Sequence, residues 1–298
     1  MKPHLYIFNF KKLIIGIFYG LILLFIGSII VNYIIENSNH RLSKIYSSQK
    51  IESSLFFVGN SRAVPFNNKN LNTHKRILNL SQNSMNSFQV ENIIKAIKSK
   101  VKNEKIIYVE LTSLANYEIQ CQYSIFFNLN YYYEKDEIEK KCKRKFFFER
   151  IIPISKINNE LFFRILYYYF FPKKDQLWTN NYKMPDPVCK NPKTSDLMKF
   201  FFNSDTEKMI HKKSTYLLNE YSDKNTQILF FISPVYQKKN LALQMEKNYI
   251  KKNFKNLVKL NIKLDNNFFK NCEMFADTLH LSGDGVHNLF KNKIFNSF

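Results

Sequence analysis

Residues 54–62 read Ser54-Leu55-Phe56-Phe57-Val58-Gly59-Asn60-Ser61-Arg62. An apolar run stops at a glycine, and a serine follows two positions later. A short apolar run bounded by turn residues suits a strand buried on both faces of a parallel sheet. Further elements follow on both sides of that reading. A second apolar run spans 76–80, Arg76-Ile77-Leu78-Asn79-Leu80. Residues 87–101 carry Val90, Ile93, Ile94 and Ile97 on one helical face. A third strand is predicted at 105–111, a helix at 206–221, a fourth strand at 227–234, a helix at 239–253 and a last strand at 257–262. Alternating strands and helices predict an α/β domain with a parallel sheet. In such open sheets ligands bind beyond the carboxyl ends of the strands, and Ser61 falls there.

Residues 117–204 interrupt the alternation. They carry aromatic clusters, among them Tyr131-Tyr132-Tyr133, Tyr167-Tyr168-Tyr169-Phe170-Phe171 and Phe200-Phe201-Phe202, with basic residues between them. The plainer reading is an aromatic-rich insertion with its own core. The other is a surface for sugars or a membrane interface. No internal repeat and no glycine-rich phosphate loop is present, and no cofactor is expected. Cys121, Cys142, Cys189 and Cys272 lack the C-x-x-C spacing of a metal site. In an oxidising compartment they can form two disulfides, with three pairings open.

Residues 13–35 hold no charged side chain. At about 1.5 Å per residue, this helix is long enough to cross a hydrocarbon core of roughly 30 Å. A cleaved signal would have a shorter apolar region and a small-residue cleavage site, which Asn32-Tyr33-Ile34-Ile35-Glu36 does not offer. We therefore expect a retained single-pass anchor at 13–35. Segment 1–12 would lie in the cytoplasm, 36–52 would be a stalk, and 53–298 would form the globular domain. Lys2, Lys11 and Lys12 precede the span. Under the positive-inside rule, they place the domain outside the cytoplasm, in the periplasm of a Gram-negative cell.

The formal charge is +21, and removing those three lysines leaves +18 on the remainder. Such a field attracts anionic glycans, lipid headgroups or nucleic acid. A bias toward Lys, Asn, Ile and Phe from an AT-rich genome explains it equally well. No helix-turn-helix or zinc-finger pattern supports nucleic-acid binding.

A second chemical segment lies near the other end: Asp277-Thr278-Leu279-His280-Leu281-Ser282-Gly283-Asp284-Gly285. A histidine three residues after a carboxylate can take a proton from a serine while the carboxylate orients the ring. Taken singly, the serine reads as a helix cap and Asp-x-x-His as a structural turn. Their combination, with the strand–serine turn first and Asp-x-x-His last, carries more weight.

In that order of motifs the chain resembles the SGNH/GDSL hydrolase superfamily, and within it the membrane-anchored branch linked to bacterial surface-polysaccharide O-acylation. The resemblance implies a flavodoxin-like three-layer α/β fold, with Ser61 as nucleophile, His280 as general base and Asp277 as its orienting acid. Asn60 stands where the family often has Asp. The family's second block usually supplies a glycine N–H to the oxyanion, but here 79–84 has none. That leaves Asn83 or Ser84 as backbone donor. Its third block usually supplies an asparagine side chain, for which Asn116, after Glu110-Leu111-Thr112-Ser113-Leu114-Ala115, is the candidate.

The expected function is serine acyl transfer, as O-acetyltransferase or esterase, on a cell-surface or lipid-linked polysaccharide. The expected partners are the membrane, the glycan and a multi-span acyl-donor protein. The alternative is a non-catalytic, anchored glycan-binding or scaffold module of an assembly complex.

Overall fold

Leu55–Val58 forms β1, the centre of a four-stranded sheet, and all four side chains are buried. The computed structural model describes residues 10–38, 51, 53–66, 77–83, 85–115, 166–167, 169–171, 189, 204–236, 241–252 and 254–291. β2 is Ile77–Asn79, β3 is Lys105–Glu110 and β4 is Thr226–Phe231. The sheet order is β2-β1-β3-β4, and every pairing is parallel. Val58 lies opposite Val109 and Glu110 opposite Phe231, so the carboxyl ends of β1, β3 and β4 line one edge.

Both sheet faces are covered, which explains why the strands carry continuous apolar runs, such as Ile106–Val109 and Ile228–Phe231, instead of alternating. On one face Phe57 stacks on Phe66 and Tyr108 and meets Phe231 and Phe290 edge-on. Leu281, Val286 and Leu289 complete that core. On the other face Phe230 packs on Phe254, and Phe254 packs on His211 of α3 (Ser204–Tyr221). The helix at Ser87–Lys100, α2, lies beside α3, where Tyr216 and Tyr221 donate to Glu91 at 3.1 and 2.8 Å. Its Val90, Ile93, Ile94 and Ile97 are buried, each adding about 1.5–3 kcal/mol of hydrophobic stabilisation. Asn86 and Gln89 form a reciprocal capping box that sets where α2 begins.

The helices α4 (Leu241–Lys251), α5 (Leu260–Lys263), α6 (Asn266–Lys270) and α7 (Gly283–Lys291) follow β4. The last strand expected at 257–262 does not form. Leu257 makes an isolated parallel bridge to Phe230, and Leu260–Lys263 is helical. Asn256 turns the chain at φ 61°. The buried Glu246 carboxylate then accepts from the N–H groups of Asn261 and Ile262 at 2.8 and 3.2 Å. Backbone donors that would extend the sheet are used to start a helix.

The chain divides into two compact units, Met1–Ser48 with Cys121–Pro172, and Gln49–Gln120 with Lys173–Phe298. The sheet belongs to the second. In the first, α1 (Phe10–Asn37) contains the 13–35 run, so residues 10–12 and 36–37 are helical too. It is the one helix among the described residues long and apolar enough to cross a membrane. Leu21, Leu23, Phe25 and other large apolar side chains around it are exposed. Most of the expected 36–52 stalk and of the expected 117–204 insertion lies outside the described residues, as do Cys121 and Cys142. Cys189 is bonded to Cys272.

Candidate active site

The turn that carries Ser61 is set by close packing of two strand ends. Val58 and Val109 are in register, so Gly59 falls beside Glu110. A Cβ on Gly59 would stand 2.7 Å from the Glu110 Cβ and 3.1 Å from that of Ala63. Glycine is required there for closeness of approach, not for an unusual φ. The chain then enters a 3₁₀ turn at Ser61–Ala63, capped by the Asn60 side chain, which accepts from the Arg62 N–H at 3.0 Å. Asn79 at the end of β2 holds the exit, donating to the carbonyls of Ala63, Val64 and Phe66 at 2.7, 3.1 and 2.9 Å. Ser61 is left half-buried at the carboxyl edge of the sheet.

The histidine arrives on a loop pinned at both ends. Phe275 and Leu281, both fully buried, form an antiparallel bridge across its base. The Ala276 N–H donates to the His280 carbonyl at 2.9 Å, and the Ser282 N–H to that of Met274 at 3.0 Å. The Tyr236 N–H, beyond β4, holds the Thr278 carbonyl at 3.1 Å. Ser282 caps α7 by accepting from the Gly285 N–H at 3.0 Å. A Cβ on Gly285 would lie 2.0 Å from the Met274 oxygen, so α7 and the loop base meet at van der Waals distance. The Cys189–Cys272 disulfide lies just upstream, and the Tyr236 hydroxyl donates to the Cys189 carbonyl at 3.3 Å.

These two pieces bring the three expected residues together. His280 Nε2 lies 2.8 Å from Ser61 Oγ. His280 Nδ1 lies 2.7 Å from Asp277 Oδ2 and 2.9 Å from Oδ1. A carboxylate accepts and cannot donate, so in the neutral ring Nδ1 carries the proton and Nε2 is left as the acceptor facing the serine. Asp277 Oδ1 also accepts from the N–H groups of Leu279 and His280 at 2.7 and 3.0 Å, an Asx turn that orients the carboxylate. Burial pushes the Asp277 pKa up, but the hydrogen bond and charge of His280, with those two N–H groups, outweigh it and leave it below its ordinary value.

Asn83 is exposed in the turn after β2, next to Gln82, whose N–H donates to the Gly59 carbonyl at 3.0 Å. Ser84 and Asn116 lie outside the described residues. Among the described residues no group of three His, Cys, Asp or Glu side chains is arranged to hold a metal.

Beneath the turn is a charged cluster that pattern reading passed over. Arg62 and Glu110 form an ion pair at 3.5 Å, their side chains 3% and 0% exposed. Arg62 also donates to the Ser233 carbonyl, and the Ser233 N–H donates to Glu110 at 3.4 Å. Burial lowers the Arg62 pKa, and the Glu110 charge opposes that shift. The available signal was a lone acid ending an apolar strand, Ile106-Ile107-Tyr108-Val109-Glu110.

No protein-family model and no curated protein matches the chain. Among solved structures it is similar to a protein from Streptococcus pneumonia provisionally described as a platelet activating factor. That likeness covers 94% of this chain and 97% of the other, with 11% identity and a TM-score of 0.39.

Proposed function

We propose that this chain is a serine acyl-transfer enzyme of the SGNH type, held in a membrane by α1. The observation that carries the reading is the unbroken chain of short contacts from Ser61 Oγ through the His280 ring to the Asp277 carboxylate. On approach of an ester, His280 Nε2 takes the Ser61 proton as Oγ forms a bond to the carbonyl carbon. The ring then gives that proton to the departing alcohol as the ester C–O bond breaks, leaving an acyl-serine. Asp277 supports the imidazolium between the two transfers without taking its proton. Water or a sugar hydroxyl, deprotonated by the same ring, completes the cycle as hydrolysis or O-acylation. Asn83 is the described candidate for oxyanion donor. Ser84 and Asn116 are the others.

The strand order β2-β1-β3-β4 with covered faces fits the flavodoxin-like scaffold that this reading calls for. Tethering by α1 favours a lipid-linked or surface-bound glycan over a freely diffusing ester. We assign the enzyme to polysaccharide O-acetylation outside the cytoplasm, with a multi-span membrane protein as acyl donor. The short Ser61–His280 contact weighs against the non-catalytic scaffold reading, for which that pair has no use.

The full-length chain in detergent, assayed on p-nitrophenyl acetate, tests the reaction class. Ser61→Ala should lower kcat by about 10³-fold or more, since serine and histidine act as a unit. Equal turnover by the two proteins would remove Ser61 from the mechanism.

A further inference from the structure

We propose that Thr112 is a positioning residue for Ser61, its hydroxyl being the node through which the buried Arg62–Glu110 pair fixes the nucleophile turn. The inference rests on the acyl-transfer reading and adds a residue to it.

A threonine hydroxyl has one proton to give and two lone pairs. At Thr112 all three are engaged. Oγ1 donates to Glu110 Oε2 at 2.5 Å and accepts from Asn60 Nδ2 at 3.0 Å and Arg62 Nη1 at 3.4 Å. Asn60 and Arg62 are the residues on either side of Ser61, so one oxygen holds both neighbours of the nucleophile. Glu110 in turn accepts from the Ser233 N–H, and Arg62 donates to the Ser233 carbonyl. The node therefore joins the carboxyl ends of β1, β3 and β4.

Ser61 contributes little to its own placement. Its one described side-chain contact is to His280, the group it must release a proton to. The direction of its Cα–Cβ bond follows from the backbone of residues 60–62, which the Asn60 cap and the Thr112 node fix. Thr112, Arg62 and Glu110 are each no more than 2% exposed, so water cannot replace the missing bonds if the hydroxyl is lost. A hydroxyl and an ion pair at the end of an apolar sheet are costly to bury, and the segment they restrain is the one that must place an atom to within a fraction of an ångström. Glu110 and Thr112, which precede the oxyanion candidate Asn116 in sequence, supply this support under the serine.

The test compares Thr112→Val, which keeps the branched shape and removes the hydroxyl, with Thr112→Ser, which keeps the hydroxyl. Both are made in the full-length chain and assayed on p-nitrophenyl acetate, with kcat expressed per Ser61 titrated by a fluorophosphonate. Misplacement of about 1 Å can cost about 10²-fold, so Thr112→Val should lower kcat per site by about 10–100-fold with KM little changed, while Thr112→Ser stays close to wild type. If the valine variant does not fold, Thr112→Cys, whose thiol bonds only weakly, takes its place in the comparison. Equal kcat per site in the hydroxyl-free and hydroxyl-bearing variants would overturn the inference. So would a loss confined to the titratable concentration, which is what a purely structural role produces. Ser61→Ala runs alongside. If it is inactive while Thr112→Val equals wild type, this inference alone fails, and if Ser61→Ala remains active, the acyl-transfer reading fails with it.

Discussion

At the carboxyl end of the sheet Arg62 and Glu110 pair at 3.5 Å with almost no access to water. At the opposite end Lys98 and Asp223 pair at 2.7 Å, their side chains 28% and 43% exposed. Removing one partner should cost less at the shorter pair. Lys98 also donates to the Tyr221 carbonyl, but water screens the attraction, and two flexible side chains lose freedom in holding it. Arg62 and Glu110 have given up hydration, and every remaining bond must be supplied by protein. That explains the neighbours they recruit: the Thr112 hydroxyl and the backbone of Ser233. Replacing such a pair by apolar side chains is often harmless to stability, so its presence points to placement of the Ser61 turn.

The comparison breaks most visibly at Glu110. Glu110→Gln leaves the buried Arg62 guanidinium without a counter-charge, at a cost of about 3–5 kcal/mol in unfolding free energy. Denaturant titration of the full-length protein measures it. A loss below about 1 kcal/mol would make the buried pair no different in kind from the exposed one. Gly59→Ala probes the same contact sterically. The new methyl would meet the Glu110 Cβ at 2.7 Å, and because both atoms are fixed to backbone, the strands must separate. Overpacking of this kind costs about 1–3 kcal/mol, and the same titration reads it. A neutral result would mean that the β1 and β3 ends are not held together as tightly as the turn requires.

The contrast between the two ends also marks what was legible in the sequence. The four strands announced themselves because each is an apolar run stopped by polar or turn-forming residues, and Val90, Ile93, Ile94 and Ile97 gave α2 by their spacing. Ser61, His280 and Asp277, which the structure brings into contact, stood out because strand-then-serine and Asp-x-x-His are local patterns. Arg62 and Glu110 are 48 positions apart, and nothing local distinguishes a buried arginine from an exposed one. Thr112 is visible only once the sheet sets the ends of β1 and β3 side by side. The expected strand at 257–262 failed for a related reason. Leu257, Val258, Leu260 and Ile262 look strand-like, but Glu246, a helix away, captures the N–H groups of Asn261 and Ile262. The pairing of Cys189 with Cys272 was one of three that the sequence left open.

The smallest effect belongs to the exposed pair, and its pH dependence identifies it. The hydrogen bond from Lys98, followed by that from the Asn225 N–H, pulls the Asp223 pKa down from 3.8 to about 2. A carboxylate whose pKa is lower folded than unfolded adds stability at pH values above its unfolded pKa. That stability is lost as the pH falls through its folded value. The Asp223 contribution should therefore be complete above about pH 4 and disappear toward about pH 2, with a size of about 0.2–1 kcal/mol because the pair is solvated. Asp223→Asn should cost that amount at pH 7, less in high salt, and nothing near pH 2. Unfolding curves of wild type and variant at pH 7 and in acid give the difference. If Asp223→Asn costs as much as Glu110→Gln at neutral pH, solvent exposure does not separate the two pairs, and the case for Arg62–Glu110 as a placement device loses its reference.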